Sequence, residues 1–266
     1  MPRFVVHRGG AALWPENSLL AFRNAIALGA RLLEFDVHRT ADGEAAVIHD
    51  PTLDRTTNGS GPVAARTAAE LRGVRLKGLD GALTDEWVPT IDEVLALAGP
   101  AGVTLLVEIK TPGPAVRYER RGDRVRVVPG PRYEELEKKI VGALRTAGVA
   151  DRAYVMAFNP AVLAEIRALA PRQPTALLVD RQHLEGAGVP AAEAVVWATA
   201  ARANFLGLHY TLCDERVVRL ARRAGIAVGV FTVNDEAAMG RLVDLDVDVI
   251  ITDRADLAVR KGATAP

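Results

Sequence analysis

Apolar and polar positions change period repeatedly along the chain. Stretches that are wholly apolar or alternate every second residue read as strands, and stretches apolar at every third or fourth residue read as helices. Phe4-Val5-Val6 is a short buried strand running into His7-Arg8-Gly9-Gly10, where glycine permits a sharp turn or close approach to a ligand. Pro15-Glu16-Asn17-Ser18 opens a helix capped by Asn17 or Ser18. Leu19, Leu20, Phe22, Ile26 and Leu28 form its apolar face, and Gly29 stops it. Leu32 to His38 is the next strand, and Asp42-Gly43 turns the chain back into Ala45–Ile48, followed by His49-Asp50.

From residue 51 to about 89 the pattern is polar, glycine-rich and weakly periodic, as expected of an insertion that partly covers a site. Thr67 to Glu70 has the form of a capping box, and a helix starts near Thr90 with Ile91, Val94, Leu95 and Leu97 on one side. Val103–Ile109 is a strand. Beyond it, Val116, Tyr118, Val125 and Val127 alternate with Arg117, Arg120, Arg121, Arg124 and Arg126 around Gly122-Asp123. This predicts a hairpin thrown out of the domain, read as a solvated ribbon, with an anion-contacting lid as the alternative. Helix and strand then alternate regularly to the end, and His183 falls in a polar loop.

Eight strand–helix units result, with strands near residues 5, 34, 106, 155, 177, 206, 229 and 249. The expected fold is α/β, a TIM (β/α)8 barrel in one domain over 1–266, with a small insertion after the second strand at about 51–89. An open doubly wound sheet is the alternative, but it carries a glycine-rich phosphate loop after its first strand, and His-Arg-Gly-Gly is not that loop.

Composition narrows the function classes. A chain of 266 residues that is 49% apolar buries a full core, and its 33 basic and 33 acidic residues cancel. No overall field draws nucleic acid or an anionic membrane. Cys213 is the one cysteine, which excludes an internal disulfide framework and a multi-cysteine metal site. With no signal-like start and no apolar run near the ~18 residues of a membrane span, a cytoplasmic protein without an integral membrane segment is expected. A homo-oligomer is left open.

The chemistry concentrates in the second strand. A period of two puts Glu34 and Asp36 on one face, where two carboxylates repel unless a proton or cation holds them. A solvated acidic face is the plain alternative. In a barrel, function collects at the C-terminal strand ends. His7 and Arg8, Glu34 and Asp36, His49, Glu108 and Lys110, Asn159, His209, Phe231 and Asp253 all fall there. Glu34, Asp36 and Glu108 form an all-oxygen set suited to one divalent cation, Mg²⁺ or Ca²⁺. His7 and His49 are read as general acid and base, with zinc ligation as the rival. Arg8 and Lys110 beside a metal make a phosphate clamp. His38 is read as structural.

The motifs His7-Arg8-Gly9, Glu16-Asn17-Ser18, Glu34-Phe35-Asp36-Val37, His49-Asp50 and Leu53 to Gly59 resemble those of the glycerophosphodiester phosphodiesterases. So do Pro89 to Leu95, Glu108-Ile109-Lys110, Thr232-Val233-Asn234 and Ile250 to Asp253, in the family's order. The resemblance implies a divalent cation held by Glu34, Asp36 and Glu108, with His7 and His49 as the acid/base pair. It further implies a phosphate site lined by Arg8, Glu16 and Lys110. The implied reaction is cleavage of a small-molecule glycerophosphodiester to sn-glycerol 3-phosphate and an alcohol such as choline or ethanolamine. Phe231 stands where the family commonly has tryptophan, which alters the packing around the glycerol but keeps it aromatic. The arginine-rich ribbon replaces a short loop of many relatives. Two other readings are weighed: a lysophospholipase D-type enzyme, whose acyl groove would begin at Ala11-Ala12-Leu13-Trp14, and a non-catalytic phosphodiester-binding barrel. A Schiff-base aldolase is disfavoured because Lys110 sits among carboxylates.

Overall fold

A computed structural model describes residues 1–122 and 124–262. Its strands are β1 (Arg3–Val6), β2 (Leu32–Arg39), β3 (Ala45–Val47), β4 (Arg75–Lys77), β5 (Leu83–Trp87), β6 (Thr104–Ile109) and β7 (Val116–Arg121). They continue with β8 (Arg124–Pro129), β9 (Ala153–Ala157), β10 (Thr175–Val179), β11 (Phe205–His209), β12 (Ala227–Phe231) and β13 (Val249–Thr252). Eight of them, β1, β2, β6 and β9 to β13, pair in parallel, and β1 closes on both β13 and β2. This is the TIM barrel that the alternation of strand and helix predicts. Among the described residues, no helix is long and apolar enough to cross a membrane.

The period of two sorts each strand's side chains. On β2, Leu33, Phe35 and Val37 point outward into the core beneath the helices, while Leu32 joins the barrel interior. Phe35 meets Phe22 of the first helix edge-on at 5.8 Å, and each such fully buried side chain contributes about 1.5–3 kcal/mol. Inside the barrel the lower layers are apolar, with Val5, Leu32, Leu106, Met156, Leu178 and Phe205 filling the bore. Two residues up on β2 and β6, the interior side chains become Glu34 and Glu108. Parallel register sets Asp36 directly beside Glu108. The bore is thus a dry plug with a charged upper layer.

The first helix is Leu19–Leu28, capped by the Ser18 side chain, which accepts from the Ala21 N–H. Leu28 does not belong to its buried face: it is 45% exposed at the last turn. Segment 51–89 carries the short helix Ala68–Leu71 with a Thr67/Glu70 capping box, the β4–β5 hairpin, and a small core including Leu53, Val63, Leu71 and Leu76.

Two further expectations are corrected. His183 lies in a helix, Arg181–Ala187, because Asp180 caps it with a reciprocal capping box. The arginine-rich hairpin β7–β8 is not thrown clear of the domain; Asp123, at its predicted turn, lies outside the described residues. Directly paired residues share a face, and Tyr118 pairs with Val127. That apolar face folds back over the barrel, with Tyr118 stacked on Trp197 at 5.7 Å.

Candidate active site

The first βα turn is built around the left-handed conformations of Arg8 (φ 51°) and Gly9 (φ 78°). A Cβ on Gly9 would stand 2.8 Å from Ala21 Cβ, so glycine alone fits there. The turn aims the Arg8 N–H at Glu34 Oε2 (3.2 Å) and its side chain at Asp36 and Glu16.

Glu34, Asp36 and Glu108 are buried, and each offers a carboxylate oxygen within 4.8 Å of the others. Asp36 is the best neutralised. Lys110 Nζ lies 2.9 Å from Oδ1, Arg8 Nε 3.1 Å from Oδ2, and Asn17 Nδ2 donates to Oδ2 at 2.9 Å. Burial alone would raise its pKa, but Lys110 and Arg8 hold it well below the usual carboxylate range. Glu34 goes the other way. Burial, with the negative charges of Asp36 and Glu108, raises it well above the ordinary value. Burial also raises Glu108, although Lys110 Nζ stands 2.5 Å from Oε1.

Three carboxylates therefore face two fixed cations, and the cluster is short of positive charge. Asp36 Oδ1 and Glu108 Oε1 share the single Lys110 ammonium. Hard oxygens converging in an anion-rich pocket fit a divalent cation of the Mg²⁺ or Ca²⁺ kind. No nitrogen or sulfur donor is needed to complete the set, which argues against zinc.

The two imidazoles flank this cluster in matching ways. His7 Nδ1 is 2.6 Å from Asp253 Oδ1, and His49 Nδ1 is 2.7 Å from Asp50 Oδ1. A carboxylate only accepts, so each Nδ1 carries the proton and each Nε2 is left for chemistry. His7 Nε2 lies 3.8 Å from Glu34 Oε2. Burial, together with the charge of Lys110, lowers the His49 pKa to about 4. His49 is thus a neutral acceptor at neutral pH.

Asp253 is itself fixed by Asn234, whose Nδ2 donates to Oδ2 at 2.6 Å while Oδ1 accepts the Asp253 N–H at 2.9 Å. Asp50 is held near a pKa of about 2, first by a hydrogen bond from Arg55 Nε (2.6 Å). Arg55 also grips both oxygens of Glu16, at 2.9 and 2.8 Å. The segment after β2 thereby ties the support of His49 to the turn after β1. His38, read as structural, donates from Nε2 to the His49 carbonyl (3.0 Å) and accepts at Nδ1 from Tyr133 (2.9 Å), so it pins the His49 backbone. Burial lowers its pKa to about 4.

Of the residues singled out in the sequence, His7, Arg8, Glu16, Glu34, Asp36, His49, Glu108 and Lys110 are brought together at one mouth. Phe231 stands in an aromatic wall, 6.1 Å from Phe158 and 6.3 Å from His209. The sequence places Asp253 at a strand end and Asn17, Asp50, Arg55, Asn234 and Asp253 within the motifs that carry the resemblance, but assigns none of them a role in the site; the motifs and the adjacency of Asp50 to His49 are the signals that mark them.

Residues 7–257 match the model of the glycerophosphoryl diester phosphodiesterase family. A glycerophosphodiester phosphodiesterase of Caldanaerobacter subterraneus is 30% identical over 269 residues, which cover 97% of this chain and 98% of that protein. One from Bacillus subtilis is 28% identical, covering 97% of this chain and 86% of its own length. The crystal structure of a glycerophosphodiester phosphodiesterase from Agrobacterium tumefaciens superposes with a TM-score of 0.75 at 25% identity, over 98% of this chain and 100% of that one. An Oleispira antarctica phosphodiesterase, solved with the product sn-glycerol-3-phosphate, shares the fold with a TM-score of 0.79 at 23% identity, over 100% of this chain and 98% of that one.

Proposed function

The chain belongs to the glycerophosphoryl diester phosphodiesterase family and is a phosphodiesterase, and on that premise we propose that the charged mouth hydrolyses glycerophosphodiesters to sn-glycerol 3-phosphate and an alcohol. Glu34, Asp36 and Glu108 would hold one divalent cation, which when bound supplies positive charge to the phosphoryl oxygens. Arg8 and Lys110 add fixed charge beside it, within an anion site that Glu16 helps to shape through its contact with Arg8. Phe231 offers an aromatic surface to the body of the substrate.

His49, neutral because of its low pKa, takes the proton from the attacking hydroxyl at Nε2. His7 acts as the imidazolium: its Nδ1–H stays on the Asp253 carboxylate while its Nε2 proton passes to the departing alkoxide, leaving the neutral ring. Asp50 and Asp253 keep the two rings in the tautomer that this exchange requires. The observation that carries the reading is this pairing: two aspartate-held imidazoles at the same mouth as a buried carboxylate triad with only two fixed cations. Family membership, with both imidazoles in place, leaves a non-catalytic barrel without support.

The test is release of sn-glycerol 3-phosphate from glycerophosphocholine, with and without chelator. Activity that disappears in EDTA and returns with Mg²⁺ or Ca²⁺ is expected. Full activity in chelator overturns the metal role, and no release under any cation overturns the substrate class.

A further inference from the structure

Lys110 follows Glu108 by two residues at the mouth end of β6, so the period of two turns both side chains to one face. Its backbone is fixed, since its N–H donates to the Val37 carbonyl of β2 at 3.0 Å. Its ammonium meets one oxygen from each of two triad members, Asp36 Oδ1 at 2.9 Å and Glu108 Oε1 at 2.5 Å. The other Asp36 oxygen is already engaged. Oδ2 accepts from Asn17 Nδ2 at 2.9 Å and pairs with Arg8 Nε at 3.1 Å, and Asn17 and Arg8 both have left-handed backbones in the turn after β1. The oxygen with which Asp36 can serve a cation is therefore the one that Lys110 holds.

A divalent ion on these two oxygens brings two positive charges against the ammonium that shares them, and the ion attracts the carboxylates more strongly. Of the two fixed charges beside the triad, Lys110 is the one built to yield. The Arg8 guanidinium is a planar group held on two sides, by Asp36 and by Glu16 at 3.1 Å. Lys110 carries a compact charge on a flexible four-carbon stem, and its side chain stays 13% exposed at the mouth. Turning that stem moves the charge and leaves the strand in place. The charge is permanent, but its position is not. A phosphodiester drawn to the mouth brings anionic oxygens within reach of an ammonium so displaced.

We infer that Lys110 and the divalent cation compete for Asp36 Oδ1 and Glu108 Oε1, and that the ammonium released by the cation turns to the substrate phosphate. The inference rests on the reading of the triad as a cation site and of the mouth as a phosphodiester site. Lys110 is then a positioning charge that couples the two: loading of the triad frees the group that grips the phosphate.

Calorimetric titration of Ca²⁺ into the unaltered protein and into Lys110→Met tests it, with melting temperature as the check on folding. Removing a competitor should tighten the Kd for Ca²⁺ by at least about tenfold, although the variant lacks a partner of two ligands. Lys110→Arg keeps the charge and should bring no such gain. With the Ca²⁺ site saturated, Lys110→Met should hold sn-glycerol 3-phosphate about tenfold more weakly than the unaltered protein. A measurement on the unaltered protein stands apart from the fate of the variants. The chain has five lysines, so the Lys110 ammonium signal in a ¹⁵N NMR spectrum is assigned by its loss in Lys110→Arg. That signal should shift in step with Ca²⁺ occupancy and shift again on addition of sn-glycerol 3-phosphate. Ca²⁺ binding that is unchanged or weaker in folded Lys110→Met, or an ammonium signal that ignores Ca²⁺, overturns the inference and leaves the triad's cation site standing. Equal affinity of the two proteins for sn-glycerol 3-phosphate in Ca²⁺ overturns it too. Failure of the unaltered protein to bind Ca²⁺ or Mg²⁺ at all removes the cation site itself, and the inference with it.

Discussion

Replacing Asp253 by asparagine isolates the support of His7 with almost no change of volume. Asn234 fixes what the variant can do. Its Oδ1 accepts the residue 253 backbone N–H at 2.9 Å and the Thr252 hydroxyl at 3.1 Å, so its Nδ2 must point at residue 253. The variant's amide can meet that donor only with its oxygen, which turns its own NH₂ group onto His7 Nδ1. Nδ1 must then accept, and the proton moves to Nε2. A His7 protonated on both nitrogens would then face a donor instead of the carboxylate at Nδ1, so the imidazolium proposed to deliver the Nε2 proton loses the partner that pairs with its charge. Positioned proton transfer contributes roughly 10²–10⁴-fold, or about 3–5 kcal/mol of barrier. Asp253→Asn should therefore lower kcat for glycerophosphocholine by about that factor while KM changes little. The assay is coupled detection of sn-glycerol 3-phosphate at saturating substrate and cation, with the melting temperature as a check on folding. A kcat within about threefold of the unaltered enzyme would refute the proposed role of His7 and its aspartate.

His49→Ala should cost kcat about 10²–10⁴-fold in the same assay, and near-normal turnover would remove it as the base. Because its pKa is lowered to about 4, the acid limb of kcat/KM at saturating cation should lie well below pH 6, and a limb at pH 6–7 would contradict the assignment. Arg55→Met should lower kcat about three- to tenfold at unchanged melting temperature, since Asp50 and Glu16 lose their shared partner; full activity would show that brace to be dispensable. His38 has a folded pKa of about 4 against 6.5, so the unfolded chain binds its proton first as pH falls. Its stabilisation is complete above pH 6.5 and is lost towards pH 4, by roughly 3 kcal/mol. Denaturant unfolding of His38→Gln should show a stability deficit at pH 7.5 that shrinks by about that amount at pH 4, and a deficit independent of pH would contradict it.

The period of two on a single strand made Glu34 and Asp36 neighbours before any coordinates, because that geometry is local. The partner of Asp36 was less accessible. Glu108 could be placed at a strand end, but its register opposite Asp36 depends on which strands pair. Asp253 lies 246 residues from His7, and the contact exists only because β13 closes onto β1. The hairpin was visible in its alternation, yet its fold-back depends on Trp197, far along the chain. The helix Arg181–Ala187 was missed because seven residues containing a glycine give almost no periodicity, and only the cap at Asp180 announces it.

Binding of one divalent cation by the buried triad is tested most directly by titration calorimetry of the chelator-treated enzyme with Mg²⁺ or Ca²⁺. One site per chain is expected, with release of protons that grows as the pH is lowered, because Glu34 and Glu108 have raised pKa values that the ion must overcome. Glu34→Gln and Glu108→Gln should each weaken or abolish the site. No binding to the unaltered enzyme, or binding that both variants retain in full, would contradict the account.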